Sequence, residues 1–151
     1  MIGLLAQAEV RGPTINWEAL SPALALTGGA CLVLLVGLAR ARFVRRTVVP
    51  VLTLVALAVT AGLCVWQWDI NEAIIARAMV IDNLTLALTC IFVAGGMAAV
   101  LLSWRSVATS EAGEGEYYAL LLTSMLGMLV LVAANDLVVL FIGLELLSIT
   151  L

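Results

Sequence analysis

Residues 83–104 read NLTLALTCIFVAGGMAAVLLSW, a stretch without a charged side chain. At about 1.5 Å per residue, a helix of this length crosses about 30 Å of hydrocarbon. Two further uncharged stretches of similar length cover 19–39 and 47–68, and a slightly shorter one covers 117–135. Each of these stretches predicts a transmembrane helix.

The composition of the whole chain agrees with a membrane protein. Of its 151 residues, 64% are hydrophobic and 11% are charged, whereas a soluble domain has about 45–50% apolar and about 25% charged residues. An ordinary water-soluble domain is therefore excluded. At about 20 apolar residues per span, the length accommodates about five helices and little else. The sequence predicts an all-α fold, a polytopic transmembrane helix bundle.

The two ends of the chain differ from the predicted spans. Residues 1–18 contain only a short apolar run and no basic leader, so they are predicted to form an external N-terminal segment. Residues 19–151 are the predicted transmembrane domain, with its fifth helix over 137–151. That last stretch has no terminal charge, cap residue or interfacial aromatic residue. We therefore expect a helix that is incomplete, at the start of a longer polypeptide.

Arginine is distributed unevenly between the predicted loops, and this predicts the orientation. The first loop holds Arg40, Arg42, Arg45 and Arg46, whereas the second loop holds Arg77 alone. Short loops rich in basic residues tend to stay in the cytoplasm. The first loop is therefore predicted to be cytoplasmic and the N-terminus external.

Several chemistries are excluded by the residue types present. The net charge is −3 and no basic run extends beyond the first loop, so nucleic-acid binding is not expected. Histidine is absent, and Cys31, Cys64 and Cys90 lie singly in different apolar stretches. These residues provide no ligand set for zinc, haem or an iron–sulfur cluster, and no metal site is predicted. The lone thiols are interpreted as packing residues.

Glycines and loops have structural interpretations. The pairs Gly28–Gly29 and Gly95–Gly96, together with Gly127, are interpreted as small residues that let helices approach closely. Residues 113–116, GEGE, are predicted to form a turn, because their glutamates would repel a phosphate. Apolar residues recur at helical spacing over 70–81. This loop is predicted to be either a short surface helix or an extended segment.

Glu145 is the only ionisable residue well inside a predicted span. It lies about 13–14 Å along the helix from Asp136, close to the middle of the bilayer. Inserting an ionised carboxylate there costs about 2.5–3.5 kcal/mol, and an unpaired one is favoured in its neutral form. A carboxyl group whose protonation depends in this way on its surroundings is suited to a proton relay. Glu145 is therefore the predicted catalytic residue.

Two further residues of the same predicted helix support this site. Asp136 is predicted to cap the helix by accepting hydrogen bonds from backbone N–H groups of its first turn. Ser148, one turn beyond Glu145, is predicted on the same face, where it can hydrogen-bond the carboxyl group or hold a water. Asp136 and Glu145 fall on opposite faces, which excludes a paired-carboxylate hydrolase. The alternative is that Glu145 only links helices as a polar packing residue.

A counter-ion for an ionised Glu145 is not provided by the predicted spans. The sequence contains no lysine, and all seven basic residues are arginines that lie outside the spans. An intramembrane carboxylate normally pairs with a cation. We therefore expect the partner of Glu145 to come from outside this sequence.

Residues 116–151, EYYALLLTSMLGMLVLVAANDLVVLFIGLELLSITL, resemble the N subunit of bacterial NADH-quinone oxidoreductase, or respiratory complex I. Residues 78–96, AMVIDNLTLALTCIFVAGG, are similar to the segment that leads into that family's third helix. In the related M and L subunits and in Mrp-type cation/proton antiporters, a tryptophan usually precedes the corresponding glutamate. Here Leu144 precedes Glu145, so the resemblance favours subunit N.

This resemblance implies an antiporter-like fold with inverted helix repeats and a function in proton translocation. It implies that Glu145 pairs with a lysine on a later helix. NADH, FMN, iron–sulfur clusters and quinone are then expected in partner subunits, so this chain is a non-redox subunit without a cofactor that is not catalytic alone. The expected partners are the other membrane-arm subunits, the lipid bilayer and protons, in a bacterial inner (plasma) membrane. An Mrp-type antiporter subunit and a passive structural membrane subunit are the alternatives.

Overall fold

A computed structural model describes residues 17–39, 43–68, 72–74, 78–104 and 113–150 of the protein. Four of the helices in these ranges are long and apolar enough to cross a membrane, and the last one is shorter. The prediction of an all-α polytopic helix bundle is confirmed. The N-terminal segment predicted over 1–18 lies outside the described residues up to position 16. The helices are α1 Trp17–Gly37, α2 Val49–Trp66, α3 Asn83–Ser103, α4 Glu114–Ala133 and α5 Leu137–Thr150.

Helix α4 lies at the centre of the bundle, because it contacts α1, α2, α3 and α5. Its Tyr118, Leu122 and Leu129 are buried in the largest apolar cluster. Between lipid-embedded helices the hydrophobic effect contributes little, and close van der Waals packing holds them together. The cluster is completed by one buried face from each of the first three helices: Leu26, Val33, Val49, Leu57, Val93 and Val100.

The glycines predicted to pack divide into two groups. Gly29, Gly96 and Gly127 each stand against a neighbouring helix, where an added Cβ would meet protein atoms. Gly28 and Gly95 have none of the described atoms within 4 Å of the position of a Cβ. The packing interpretation is therefore confirmed for the first group. For the second group it stays a prediction, because neighbouring residues of a helix face different directions and these two glycines face away from the other described helices.

The predicted turn over 113–116 is wrong, because α4 already begins at Glu114. Gly113 precedes the helix with φ of 87°, a left-handed conformation that favours glycine. Gly115 lies against Gly37, where an added Cβ would be 2.6 Å from the Gly37 Cα. The two glycines let α4 start in backbone contact with the end of α1.

The segments between helices also differ from simple loops. Val44–Val48 form a π-helix that leads directly into α2, so two of the loop arginines lie on a helical segment. Glu72–Ile74 (β1) and Met79–Ile81 (β2) form an antiparallel hairpin. The extended alternative for this loop is confirmed and the helical one is wrong. The reason is that Met79 and Ile81 alternate with Val80 and bury their side chains, which is the period of a strand.

The hairpin is attached to the turn between α4 and α5. Met79 forms a β-bridge with Ala134, and the Asn135 N–H donates to the Ala78 carbonyl at 2.9 Å. Next to β2, the Asp82 carboxylate accepts from the Thr85 N–H at 2.8 Å and caps α3. This hydrogen bond lowers the pKa of Asp82 below its ordinary value. One end of the bundle is therefore fixed by backbone and cap hydrogen bonds as well as by packing.

Several polar side chains in or beside the helices hydrogen-bond to groups close by, whereas the buried Gln67 Oε1 atom has no hydrogen-bond partner among the described residues. The hydroxyl groups of Thr53, Thr60 and Thr89 donate to backbone carbonyls four residues earlier, at 2.7–2.9 Å. Gln67, just after α2, is almost fully buried, and its amide nitrogen donates to the Glu18 carbonyl and to the Ser21 hydroxyl. A buried polar group without a partner is costly. These hydrogen bonds let the chain keep polar residues within or beside apolar helices.

Candidate functional site

Glu145 lies near the middle of α5 and points away from the rest of the bundle. Helix α5 packs chiefly against α4, with Gly143 at the contact, where an added Cβ would lie 2.9 Å from the Leu131 nitrogen. Residues two apart on an α-helix are separated by about 200° around its axis. Glu145 is therefore on the side of α5 opposite α4, and its side chain is exposed.

The face of α5 that carries Glu145 is mostly apolar. Val138 and Phe141 are 64% and 61% exposed. Both lie at helical spacing from Glu145, as does Ser148, which is exposed as well. The structure thus brings the Ser148 hydroxyl and the Glu145 carboxyl group to one outward face.

Asp136 lies at the start of α5, one residue before the first helical position. It is exposed, and its backbone carbonyl accepts from the Leu140 N–H at 3.0 Å, which closes the first helical turn. That position is the one a capping residue occupies. Capping by the Asp136 carboxylate stays a prediction, and this residue is remote from Glu145 along the helix.

Basic residues do not accompany Glu145 on α5, whose sequence is LVVLFIGLELLSIT. Arg45 and Arg46 are the arginines within the described ranges, and they precede α2. The hydrogen bonds of Gln67 place the end of α2 beside the start of α1. Since α5 begins at that same end of the bundle, the two arginines lie at the opposite end from its start. A charged Glu145 thus has no cation on its own helix.

Two local features were not expected from the sequence alone. Cys64 and Cys90, interpreted as lone thiols, lie in one apolar cluster, whereas Cys31 is exposed on α1. The second feature is the N-cap of α3, where the Asp82 carboxylate, between β2 and α3, accepts from the Thr85 N–H. An aspartate immediately before an uncharged helix is a typical N-cap signal. Within the described ranges, no group of three or more His, Cys, Asp or Glu side chains could hold a metal ion.

Comparison with known proteins relates this geometry to a family. No family model matches the chain. It is 30% identical over 95% of its length to NADH-quinone oxidoreductase subunit N 2 of Roseiflexus castenholzii, and 34% identical over 92% to subunit N 1 of Herpetosiphon aurantiacus. It is also 33% identical over 97% of its length to NAD(P)H-quinone oxidoreductase subunit 2 of a Synechococcus species. The chain is homologous to subunit N.

This subunit N homologue spans 28% of the length of each of these three relatives. The matched region is the N-terminal part of the relatives. The resemblance to subunit N predicted from residues 116–151 is confirmed. The names of the relatives place them in an NADH- or NAD(P)H-quinone oxidoreductase, an enzyme complex of several subunits.

Proposed function

We propose that this chain forms the N-terminal part of a proton-translocating, non-redox subunit of an NADH-quinone oxidoreductase, and that Glu145 carries a proton in it. The observation that supports this most directly is the outward position of Glu145 on α5, away from the α4 contact. A residue that only joined α4 to α5 would face α4. NADH, FMN, iron–sulfur clusters and quinone then belong to partner subunits, and this chain contributes a proton-transfer element.

The proposed step is a change in the protonation of one carboxyl group. In this step Glu145 is neutral as long as no cation is near its carboxyl group. A cation that approaches the carboxyl group favours its ionised form, and the proton leaves toward Ser148 or water. When the cation withdraws, the carboxyl group takes up a proton again. We infer that this cation is a basic side chain outside residues 137–150, since α5 provides none.

The membrane placement completes the proposal. Four helices are long and apolar enough to span a bilayer, and Arg45 and Arg46 lie at one end of the bundle. By the distribution of basic residues, that end is cytoplasmic and the start of α1 is external, in a bacterial inner membrane. Asp136 and the α4–α5 turn then lie at the external side, and Glu145 lies about 13–14 Å deeper.

The test is Glu145→Gln in the full-length subunit within its membrane complex. We expect NADH-driven proton uptake by inverted vesicles to fall clearly relative to NADH oxidation, because glutamine keeps the shape but cannot titrate. The matched control is Glu116→Gln, the same chemical change at an exposed position at the start of α4, which should leave uptake unchanged. Complex assembly is measured in each preparation. Normal uptake in an assembled Glu145→Gln complex would refute the proposal and favour a passive packing role.

A further inference from the structure

A cleft of about 430 Å³ opens between the start of α1 and the end of α2. Two indole side chains line it, Trp17 and Trp66, which are 65% and 83% exposed. Its other lining residues are Glu18, Ser21, Leu63 and Gln67. The Gln67 amide nitrogen donates to the Glu18 carbonyl and to the Ser21 hydroxyl. These hydrogen bonds join the two helix ends, so the cleft is a fixed feature of this end of the bundle.

The side chains of this cleft favour a cation over an anion. Glu18 contributes a carboxylate, and none of the described residues that line the cleft is basic. The face of an indole ring attracts an organic ammonium ion. Gln67 is 6% exposed, and its Oε1 atom has no hydrogen-bond partner among the described residues. Because a buried acceptor without a donor is costly, this side of the cleft favours a ligand that brings N–H groups.

Apolar surface continues from the cleft along both helices. On α1, Leu24 lies seven residues after Trp17 and is 46% exposed. On α2, Val59 lies four residues before Leu63 and is 50% exposed. Residues at these spacings share one face of a helix, so both side chains lie below the cleft, toward the middle of the helices. A cation-binding cleft beside exposed apolar side chains suits a lipid with an ammonium group in its head better than a soluble amine.

We propose that this cleft binds the primary ammonium group of a phosphatidylethanolamine headgroup. The ammonium ion lies against the indole rings of Trp17 and Trp66 and donates to the Glu18 carboxylate. The phosphate of the same lipid faces water, because the described residues of the cleft offer it no basic side chain. The acyl chains lie along the exposed apolar side chains of α1 and α2. Phosphatidylglycerol lacks the ammonium group, and phosphatidylcholine carries one without N–H donors.

The test uses the purified complex that contains the full-length subunit, reconstituted in nanodiscs of phosphatidylglycerol. A trace of phosphatidylethanolamine with a photoreactive diazirine in its acyl chain is added, and the peptides labelled on illumination are identified by mass spectrometry. We expect labelling of peptides from 17–24 and 59–67. Unlabelled phosphatidylethanolamine should suppress it at a lower mole fraction than phosphatidylcholine does. A phosphatidylglycerol probe should not favour these peptides, and soluble ethanolamine should not suppress their labelling.

Variants distinguish this site from the general anchoring of tryptophan at a membrane surface. Trp66→Leu should raise the mole fraction of phosphatidylethanolamine needed for half suppression about two- to fivefold, the effect of one exposed cation–π contact. Glu18→Gln keeps the shape of the side chain, removes its charge and should act in the same direction. Trp68→Leu is the matched control and should change nothing, because Trp68 is 48% exposed near the same helix end but does not line the cleft.

Three results would overturn the proposal. The first is equal labelling of these peptides by the phosphatidylethanolamine and phosphatidylglycerol probes, or equal suppression by phosphatidylcholine. The second is an equal effect of Trp66→Leu and Trp68→Leu, which would show membrane anchoring alone. The third is suppression by soluble ethanolamine, which would make a free amine the ligand. If Trp66→Leu does not assemble, Glu18→Gln carries the test, since Glu18 is exposed.

Discussion

Gly143→Ala should weaken the contact between α4 and α5 by an amount that the geometry determines. The new Cβ would lie 2.9 Å from the Leu131 nitrogen and 3.0 Å from its Cα, whereas ordinary contacts begin at 3.4 Å. Since the opposing atoms are backbone, the helices must move apart by several tenths of an ångström. Overpacking of this kind costs about 2–3 kcal/mol, and the gain in helix propensity of alanine over glycine offsets about 1 kcal/mol. The net loss is about 1–2 kcal/mol, roughly a 5–30-fold change in the folded-to-unfolded ratio.

The assay is unfolding of the full-length subunit in mixed detergent micelles as the fraction of SDS is raised. Gly95→Ala is the matched control, because the same Cβ would meet open space on α3 and should leave stability unchanged or slightly higher. We expect Gly143→Ala to unfold at a clearly lower SDS fraction than Gly95→Ala. Equal midpoints would show that the close crossing at Leu131 does not form, and the orientation inferred for Glu145 would lose its basis.

Three further changes test the ends of the bundle. Asp82→Ala removes the acceptor of the Thr85 N–H and should cost about 1 kcal/mol of unfolding free energy at pH 7. Because the pKa of Asp82 is lowered in the folded state, this contribution is complete above its unfolded pKa of about 3.9 and is lost as the pH falls through the folded pKa. Unfolding curves of variant and wild type should therefore converge in acid. Gln67→Leu removes the buried amide N–H group that donates to the Glu18 carbonyl and to the Ser21 hydroxyl. The free energy of unfolding, measured by SDS titration, should therefore fall by about 1–3 kcal/mol. Gly37→Ala places a Cβ 2.5 Å from the Gly115 Cα, and the yield of assembled complex should fall if this backbone contact holds α1 to α4.

Much of the bundle follows from the distribution of charge along the sequence. Uncharged stretches of about 20 residues have one stable arrangement in hydrocarbon, a helix that satisfies its own backbone. Glu145 could be found in the same way, because a single carboxyl group within an apolar run is conspicuous and costly. Its shared face with Ser148 needs only the helical repeat.

Other features depend on which faces of two helices pack together, and a local sequence pattern does not predict those contacts. Cys64 and Cys90 are neighbours only because α2 and α3 pack with those two faces together. The sequence left the loop before α3 open between a surface helix and an extended segment. The strands of its hairpin are fixed by pairing with each other and by the bridge to Ala134. The hydrogen bonds of this hairpin outweigh the weak helical preference indicated by the spacing of apolar residues over 70–81.

The double attachment of α5 limits the kind of movement available to its acid. The Asn135 N–H bond to Ala78 holds the start of the helix, and the crossing at Gly143 holds it again two residues before Glu145. A helix held at these two positions is not expected to slide along α4 or to tilt appreciably against it. If Glu145 carries a proton as proposed, the displacement of its carboxyl group is then left to the rotatable bonds of the glutamate side chain.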